Sequence, residues 1–271
     1  MVKTAIENIP PMEFLALRFA IASLVIGVFT LFQIRQFKIG TFLAGFLAGL
    51  LLLTGYAFQT YGLTLTSASN AAFITGLSVI LVPALSVLFL RERLDFRTTL
   101  GVLFATLGLF LLSGGSFTQL NHGDVLELGC ALSFGLQIIV VSRLAKNISS
   151  IHFTFVQMLT VALGATFFSP SLRNSNLVHS QPIPWFAILF TAVFASSAAL
   201  LLQAICQKRT SATRTALAFA TEPLWGAIFA RFLLSEHLSM LAYSGGALLI
   251  AGMIIVEISP GFWRRIAKVF R

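Results

Sequence analysis

Residues 66–94 read TSASNAAFITGLSVILVPALSVLFLRERL: a short hydroxyl-rich stretch, an uncharged run from Asn70 to Leu90, then Arg91, Glu92 and Arg93. At 1.5 Å per residue, a helix of about 20 residues crosses roughly 30 Å of hydrocarbon. In lipid a helix satisfies its own backbone, whereas strands survive only in closed barrels, whose alternating segments of roughly 10 residues are not seen here. The stretch therefore reads as a transmembrane helix. Working outward, similar runs recur at 13–34, 40–62, 70–90, 98–114, 124–143, 150–169, 184–206, 212–234 and 239–258. The 271 residues are 57% apolar and 10% charged, against about 25% charged in soluble domains. With a mean hydropathy of +0.92, a water-soluble single-core protein is excluded. An all-α integral membrane protein with nine spans is expected.

Nine spans put the termini on opposite sides. Alternate gaps hold Arg35 and Lys38; Arg91, Arg93 and Arg97; Arg143 and Lys146; Lys208, Arg209 and Arg214; and Arg264, Arg265, Lys268 and Arg271, which are 14 of the 18 basic residues. By the bias of Lys and Arg toward cytoplasmic loops, the C-terminus is expected in the cytoplasm and the N-terminus outside. The net charge of +9 is thus scattered loop charge and does not point to nucleic acid. The tail 261–271 mixes Phe262, Trp263, Ile266, Val269 and Phe270 with four basic residues, a short amphipathic segment suited to an anionic leaflet. Cys130 and Cys206 sit in apolar stretches with neither disulfide nor metal spacing.

The opening stretch recurs. Residues 210–238 read TSATRTALAFATEPLWGAIFARFLLSEHL, so Thr66-Ser67-Ala68 meets Thr210-Ser211-Ala212 at an offset of 144 residues. At that offset Glu92 meets Glu236, Leu94 meets Leu238, Gly101 meets Gly245, Gly108 meets Gly252 and Gln59 meets Gln203. Upstream the offset drifts to 139, where Asn8-Ile9 meets Asn147-Ile148, Phe14 meets Phe153 and Arg18 meets Gln157. Asp124 to Ile139 then has no counterpart in the first half. The expected organisation is a first repeat at 1–120 lacking its first helix, a second repeat at 121–258 and a tail at 259–271. The start at Met1 is read as internal or truncated, with a genuine nine-helix protein as the alternative. A five-plus-five design inverts the second half relative to the first, the arrangement used for alternating access.

These residues resemble the EamA-like branch of the drug/metabolite transporter superfamily over nearly the whole chain. The matching stretches in the first half are Ile9-Pro10-Pro11, Leu17-Arg18-Phe19, Tyr61-Gly62-Leu63, Ala72-Phe73-Ile74-Thr75-Gly76-Leu77, Val82-Pro83 and Arg91-Glu92-Arg93-Leu94. In the second half they are Gly123-Asp124, Lys208-Arg209-Thr210-Ser211-Ala212, Glu222-Pro223, Ser235-Glu236-His237-Leu238, Gly245 and Gly252. The resemblance implies an inverted-repeat helical bundle in the cytoplasmic (inner) membrane, with a cavity between the halves. It implies a carrier for amino acids, other metabolites, drugs or sugar derivatives, with a small-molecule substrate and no cofactor. Export, proton coupling and a homodimer are compatible with it. Two departures stand out, the absent first helix and Glu127 where the family more often has a small apolar residue.

Several residues are candidates for binding or coupling. Glu222 lies about ten residues, or ~15 Å, into its span. An acid there either exchanges a proton, recognises a cationic group or is paired for packing. Pro223 removes a backbone donor beside it and is expected to open the helix, and Pro83 to kink its own. Arg18 either snorkels to the outer interface or faces the cavity to bind a carboxylate or phosphate. Glu127 fits an outward vestibule or a binding role, and His152 a satisfied interfacial residue or a proton relay. Gln59 and Gln203, related by the repeat, either face one cavity from opposite halves or bond between helices. Tyr56, Tyr61, Phe73, Trp185, Phe219 and Trp225 line the cavity or fill core and lipid-facing positions. Gly45 with Gly49 and Gly101 with Gly108 allow close helix packing, while Glu92 and Glu236 read as interfacial anchors.

The rival classes are an integral membrane enzyme and a channel or receptor. The sequence holds no HExxH pair, no aspartate cluster for a metal-bound diphosphate, no Gly-rich nucleotide loop and no filter-like loop. An enzyme is therefore not expected, and no metal site.

Overall fold

The computed structural model describes residues 2–7, 9–33, 37–114, 121–169, 184–233 and 239–257, with backbone alone at 230–233. Every regular element among them is helical. After a short α1 (Val2–Ile6) come α2 (Pro11–Leu31), α3 (Ile39–Leu65), α4 (Ala68–Gly76) and α5 (Ser78–Leu85), the last running into a π-helical segment at Ser86–Leu90. Next are α6 (Phe96–Leu112), α7 (His122–Leu144), α8 (Ser150–Phe167) and α9 (Trp185–Phe190), which continues through a π-helical stretch Thr191–Ala198 into α10 (Ala199–Cys206). The chain closes with α11 (Ala212–Phe219), α12 (Glu222–Leu233) and α13 (Met240–Glu257). Seven of these runs are long and apolar enough to cross a membrane; Phe96–Leu112 is shorter, and α11 with α12 makes a ninth run that is interrupted. Each expected span falls within about three residues of a helical run, the accuracy that charges, Pro and Gly allow.

Local chemistry sets the helix starts. Ser67 caps α4 by accepting from the Asn70 amide at 3.1 Å, and its repeat mate Ser211 caps α11 by accepting from Arg214 at 3.3 Å. Asp95 caps α6 through the Thr98 amide at 2.9 Å, and its mate Ser239 caps α13 through Ala242 at 3.2 Å. Bonds from Thr98 hold the Asp95 carboxyl below the usual carboxylate range. At α7 the cap is reciprocal: Asn121 Oδ1 accepts from the Asp124 amide at 2.9 Å, while Asp124 Oδ2 accepts from the Asn121 amide at 3.0 Å.

The repeat is visible as a pair of breaks. Between α4 and α5 the helix is interrupted at Leu77; 144 residues on, it is interrupted at Ala220 and Thr221. Pro223 sits in the first turn of α12, where its missing N–H costs nothing, so the opening lies just before the proline. Pro83 lies inside α5 and is followed by the π segment, with Ser86 Oγ donating to the Pro83 carbonyl at 2.9 Å. Arg91 ends that segment in the left-handed conformation at φ 55°.

Repeat mates also pack on each other. Phe14, Leu15, Phe19 and Ile26 of α2 share one apolar core with Met158, Val161 and Ala165 of α8. In the α6–α13 crossing, a Cβ on Gly101 would lie 2.7 Å from the Gly252 carbonyl oxygen, and one on Gly108 would lie 2.6 Å from that of Gly245. No side chain larger than hydrogen fits there. Gly45 and Gly49 bring α3 equally close to α8, beside the carbonyls of Phe153 and Gln157. Helix α7 packs against α3, α4 and α5, and the described residues contain no repeat mate of α7.

Candidate functional site

Among the described residues, charged and amide groups within the apolar bundle fall in three clusters. The first centres on Arg18, seven residues into α2 and therefore roughly 10 Å from its start. Arg18 is only 5% exposed, so its side chain lies within the bundle rather than at the outer interface. Its Nε donates to Ser196 Oγ at 2.8 Å, and its guanidinium lies 5.0 Å from the Tyr56 ring centroid and 5.2 Å from that of Phe19. The Tyr56 hydroxyl is within its hydrogen-bonding reach. Tyr56 is held in turn by Phe19 at 4.9 Å and Phe134 at 5.0 Å between centroids. Ser196 is fully buried in the π-helical stretch, a departure from α geometry that re-aims side chains and recurs at functional sites.

Glu222 interacts electrostatically with both Arg18 and Tyr56. It begins α12 at the break and keeps accessible surface. The first repeat supplies the cation and the second the anion.

The second cluster lies at the other break. Glu127 is fully buried, its Oε2 accepting from the Thr75 hydroxyl at 2.8 Å, while its Oε1 has no partner and lies against Gly62. Thr75 also points its hydroxyl at Cys130 Sγ, 3.8 Å away. Farther out, Asp124 Oδ1 accepts from Thr66 Oγ1 at 2.6 Å, and Lys3 Nζ donates to the Thr66 carbonyl at 2.9 Å.

The third cluster is an amide ladder between α7, α8 and α10. Gln203 Nε2 donates to Gln137 Oε1 at 3.0 Å and to Gln207 Oε1 at 3.1 Å; Gln137 Nε2 donates to Gln157 Oε1 at 3.1 Å; Gln207 Nε2 reaches Ser142 Oγ at 2.7 Å. Gln203 thus bonds between helices near the basic end of the bundle, whereas Gln59 stands in the opposite half, partly exposed on α3. The two are not brought together. Tyr61 and Trp225 are 42% and 55% exposed, and it is Tyr56 that meets Arg18. His152 is fully buried edge-on to Phe37 at 5.3 Å, with neither ring nitrogen partnered, rather than satisfied at the interface. Glu236 and the 261–271 tail lie outside the described residues.

Sequence reasoning missed Ser196, Thr75, Gln137, Gln157 and Gln207 as partners. Gln203 and Gln207, four apart on one helix face, carried a readable signal; Thr75 and Ser196 carried none. Among the described residues no group of three or more His, Cys, Asp or Glu could hold a metal ion.

Comparison with known proteins agrees with this architecture. The model of the EamA-like transporter family matches residues 1–114 and again 121–258, once for each repeat. An Archaeoglobus fulgidus protein named an uncharacterized transporter is 32% identical over 95% of this chain and 80% of its own length. The Bacillus subtilis protein named uncharacterized transporter YetK is 25% identical over 94% of this chain and 81% of its own. A solved crystal structure superposes with a TM-score of 0.75 at 19% identity, over 94% of this chain and 90% of that one, and so shares the fold. The two matched repeats, the apolar helices and the relatives together establish that the chain belongs to the EamA-like transporter family and is a multi-spanning membrane transporter.

Proposed function

We propose that the protein exports a small amphipathic or zwitterionic solute, an amino acid, related metabolite or drug, across the cytoplasmic membrane by alternating access. Its C-terminus lies in the cytoplasm. The observation that carries this reading is Arg18, buried in one repeat and facing Glu222 at the helix break of the other. A carboxylate or other acceptor on the solute takes the planar guanidinium, and a cationic group takes Glu222. Lone charges at this depth are costly, so an empty site keeps its charges compensated by each other or by a proton on Glu222. Binding and release of that proton on opposite sides would couple transport to the proton gradient.

Everted vesicles containing the protein, screened with amino acids and cationic drugs, test this directly. Substrate-driven proton movement is expected in the wild type and is expected to vanish in Glu222→Gln. Transport and proton movement that both survive intact in Glu222→Gln would make the carboxylate a packing residue and remove the coupling mechanism.

A further inference from the structure

The basic end of the bundle contains a cleft of about 830 Å³ that neither Arg18 nor Glu222 lines. It opens between the end of the π segment after α5, the end of α7 and the turn before α11, and Arg91, Glu92, Arg143 and Lys146 are among the residues that line it. Three cations thus surround a space with a single acid. The cations come from two separate elements, the end of the α5 run and the end of α7. Arg91 leaves the π segment in the left-handed conformation, which an arginine rarely adopts. Arg143 Nη1 reaches back to the Phe89 carbonyl at 3.5 Å. Hydroxyl donors stand at the same cleft: Thr210, and Ser142, which is buried and tied to Gln207.

Beside this polar hollow Leu88 is 70% exposed and Phe89 47% exposed on the last turn of a membrane-spanning run. A cationic hollow with hydroxyls and an adjoining apolar shelf, at the level where a span ends, matches a phosphate group whose hydrocarbon continues into the bilayer. We infer that this cleft binds a phosphate ester, with Arg91, Arg143 and Lys146 on its oxygens, as an anionic lipid headgroup presents it. The bound phosphate bridges the end of the α5 run to α7. The same chemistry is present on a soluble phosphate ester, which would lack only the contact with Leu88 and Phe89.

The full chain in phosphatidylcholine nanodiscs, titrated with fluorescent phosphatidylglycerol, tests the assignment. The cleft variant Arg91→Gln/Arg143→Gln/Lys146→Gln is compared with Lys38→Gln/Arg209→Gln/Arg214→Gln, which removes the same charge from the same end outside the cleft. At least a tenfold loss of affinity is expected in the first and less than a twofold loss in the second. Equal losses would reduce the effect to diffuse surface charge and overturn the site, as would no loss in either. Arg91→Gln alone provides the reading if the triple variant does not fold, with a threefold or greater loss expected and an unchanged affinity overturning the site. Competition by millimolar glycerol phosphate or inorganic phosphate identifies a site for the phosphate alone; failure of both to compete identifies the intact lipid as the ligand.

Discussion

The two helix breaks occupy equivalent places in the repeats yet meet different surroundings. At the first, between α4 and α5, the nearby acid belongs to a neighbouring helix: Glu127 on α7 is sealed against Gly62 and bonded to Thr75. At the second, the acid is part of the broken helix itself, and Glu222 keeps accessible surface while facing Arg18. One duplicated backbone device therefore sits in two different settings. On the function proposed above, the carboxyl group on the neighbouring helix would hold its break closed, whereas the one carried on the break would exchange partners as the halves move. The difference follows from α7, which covers the first break and has no repeat mate among the described residues.

The sharpest attack on this contrast is electrostatic. Charge-assisted bonds are worth about 1.5–3 kcal/mol, so Arg18→Gln should lower transport by roughly 10- to 150-fold. Glu127→Gln retains an acceptor for Thr75 and should lower it less than about threefold, since it forfeits well under 1 kcal/mol. Equal losses in vesicle uptake would abolish the distinction between open and sealed acids. The next effect concerns stability. Gly108→Leu forces α6 off the Gly245 backbone and should cost about 1–3 kcal/mol, or more if the helices cannot part, read from unfolding in mixed detergent. Gly226→Ala, with open space around its Cβ position, should cost nothing measurable or stabilise by about 0.5–1 kcal/mol through helix propensity. Gln203→Leu removes bonds to Gln137 and Gln207 and should cost about 1–2 kcal/mol at roughly 0.6 kcal/mol per interhelical bond.

The smallest effect separates the halves by pH. Asp95 caps α6 with a depressed carboxyl group, so its stabilisation is present above the ordinary carboxylate range and is lost as pH falls through the folded-state value. Ser239, which caps the mate helix α13, does not titrate there. Hydrogen exchange at the start of α6 should therefore accelerate in acid relative to the start of α13, and Asp95→Ser should remove the difference. Exchange that stays parallel in the two helices would show that the cap contributes nothing to α6.

Span positions were legible because charge, Pro and Gly mark membrane boundaries, and the repeat because Thr66, Gly101 and Gly108 recur in order. Glu222 was legible too, as an acid far from either end of an apolar run. Rotation about the helix axes was not. Helix α2 is apolar on every side, so nothing in its pattern says whether Arg18 turns to the interface or to Tyr56. Likewise Gln59 and Gln203 are matched by the offset, but an inverted repeat carries matched residues to opposite halves of the membrane. The partnerships Arg18–Ser196 and Thr75–Glu127 join residues 178 and 52 apart in sequence, and only the packed bundle defines them.

The glycine crossing of α6 and α13 bears on ancestry. Gly101 meets Gly252 and Gly108 meets Gly245, while the repeat equates Gly101 with Gly245 and Gly108 with Gly252. In a polypeptide of half this length, the same contact would pair the first glycine of one copy with the second glycine of another, and the reverse. That is the self-complementary pattern of a two-fold dimer. Such a dimer would need its copies inserted in opposite directions and would dissociate on dilution. Fusing the two into one gene makes the encounter intramolecular, fixes a single copy in each direction, and frees each half to acquire a charge that the other lacks.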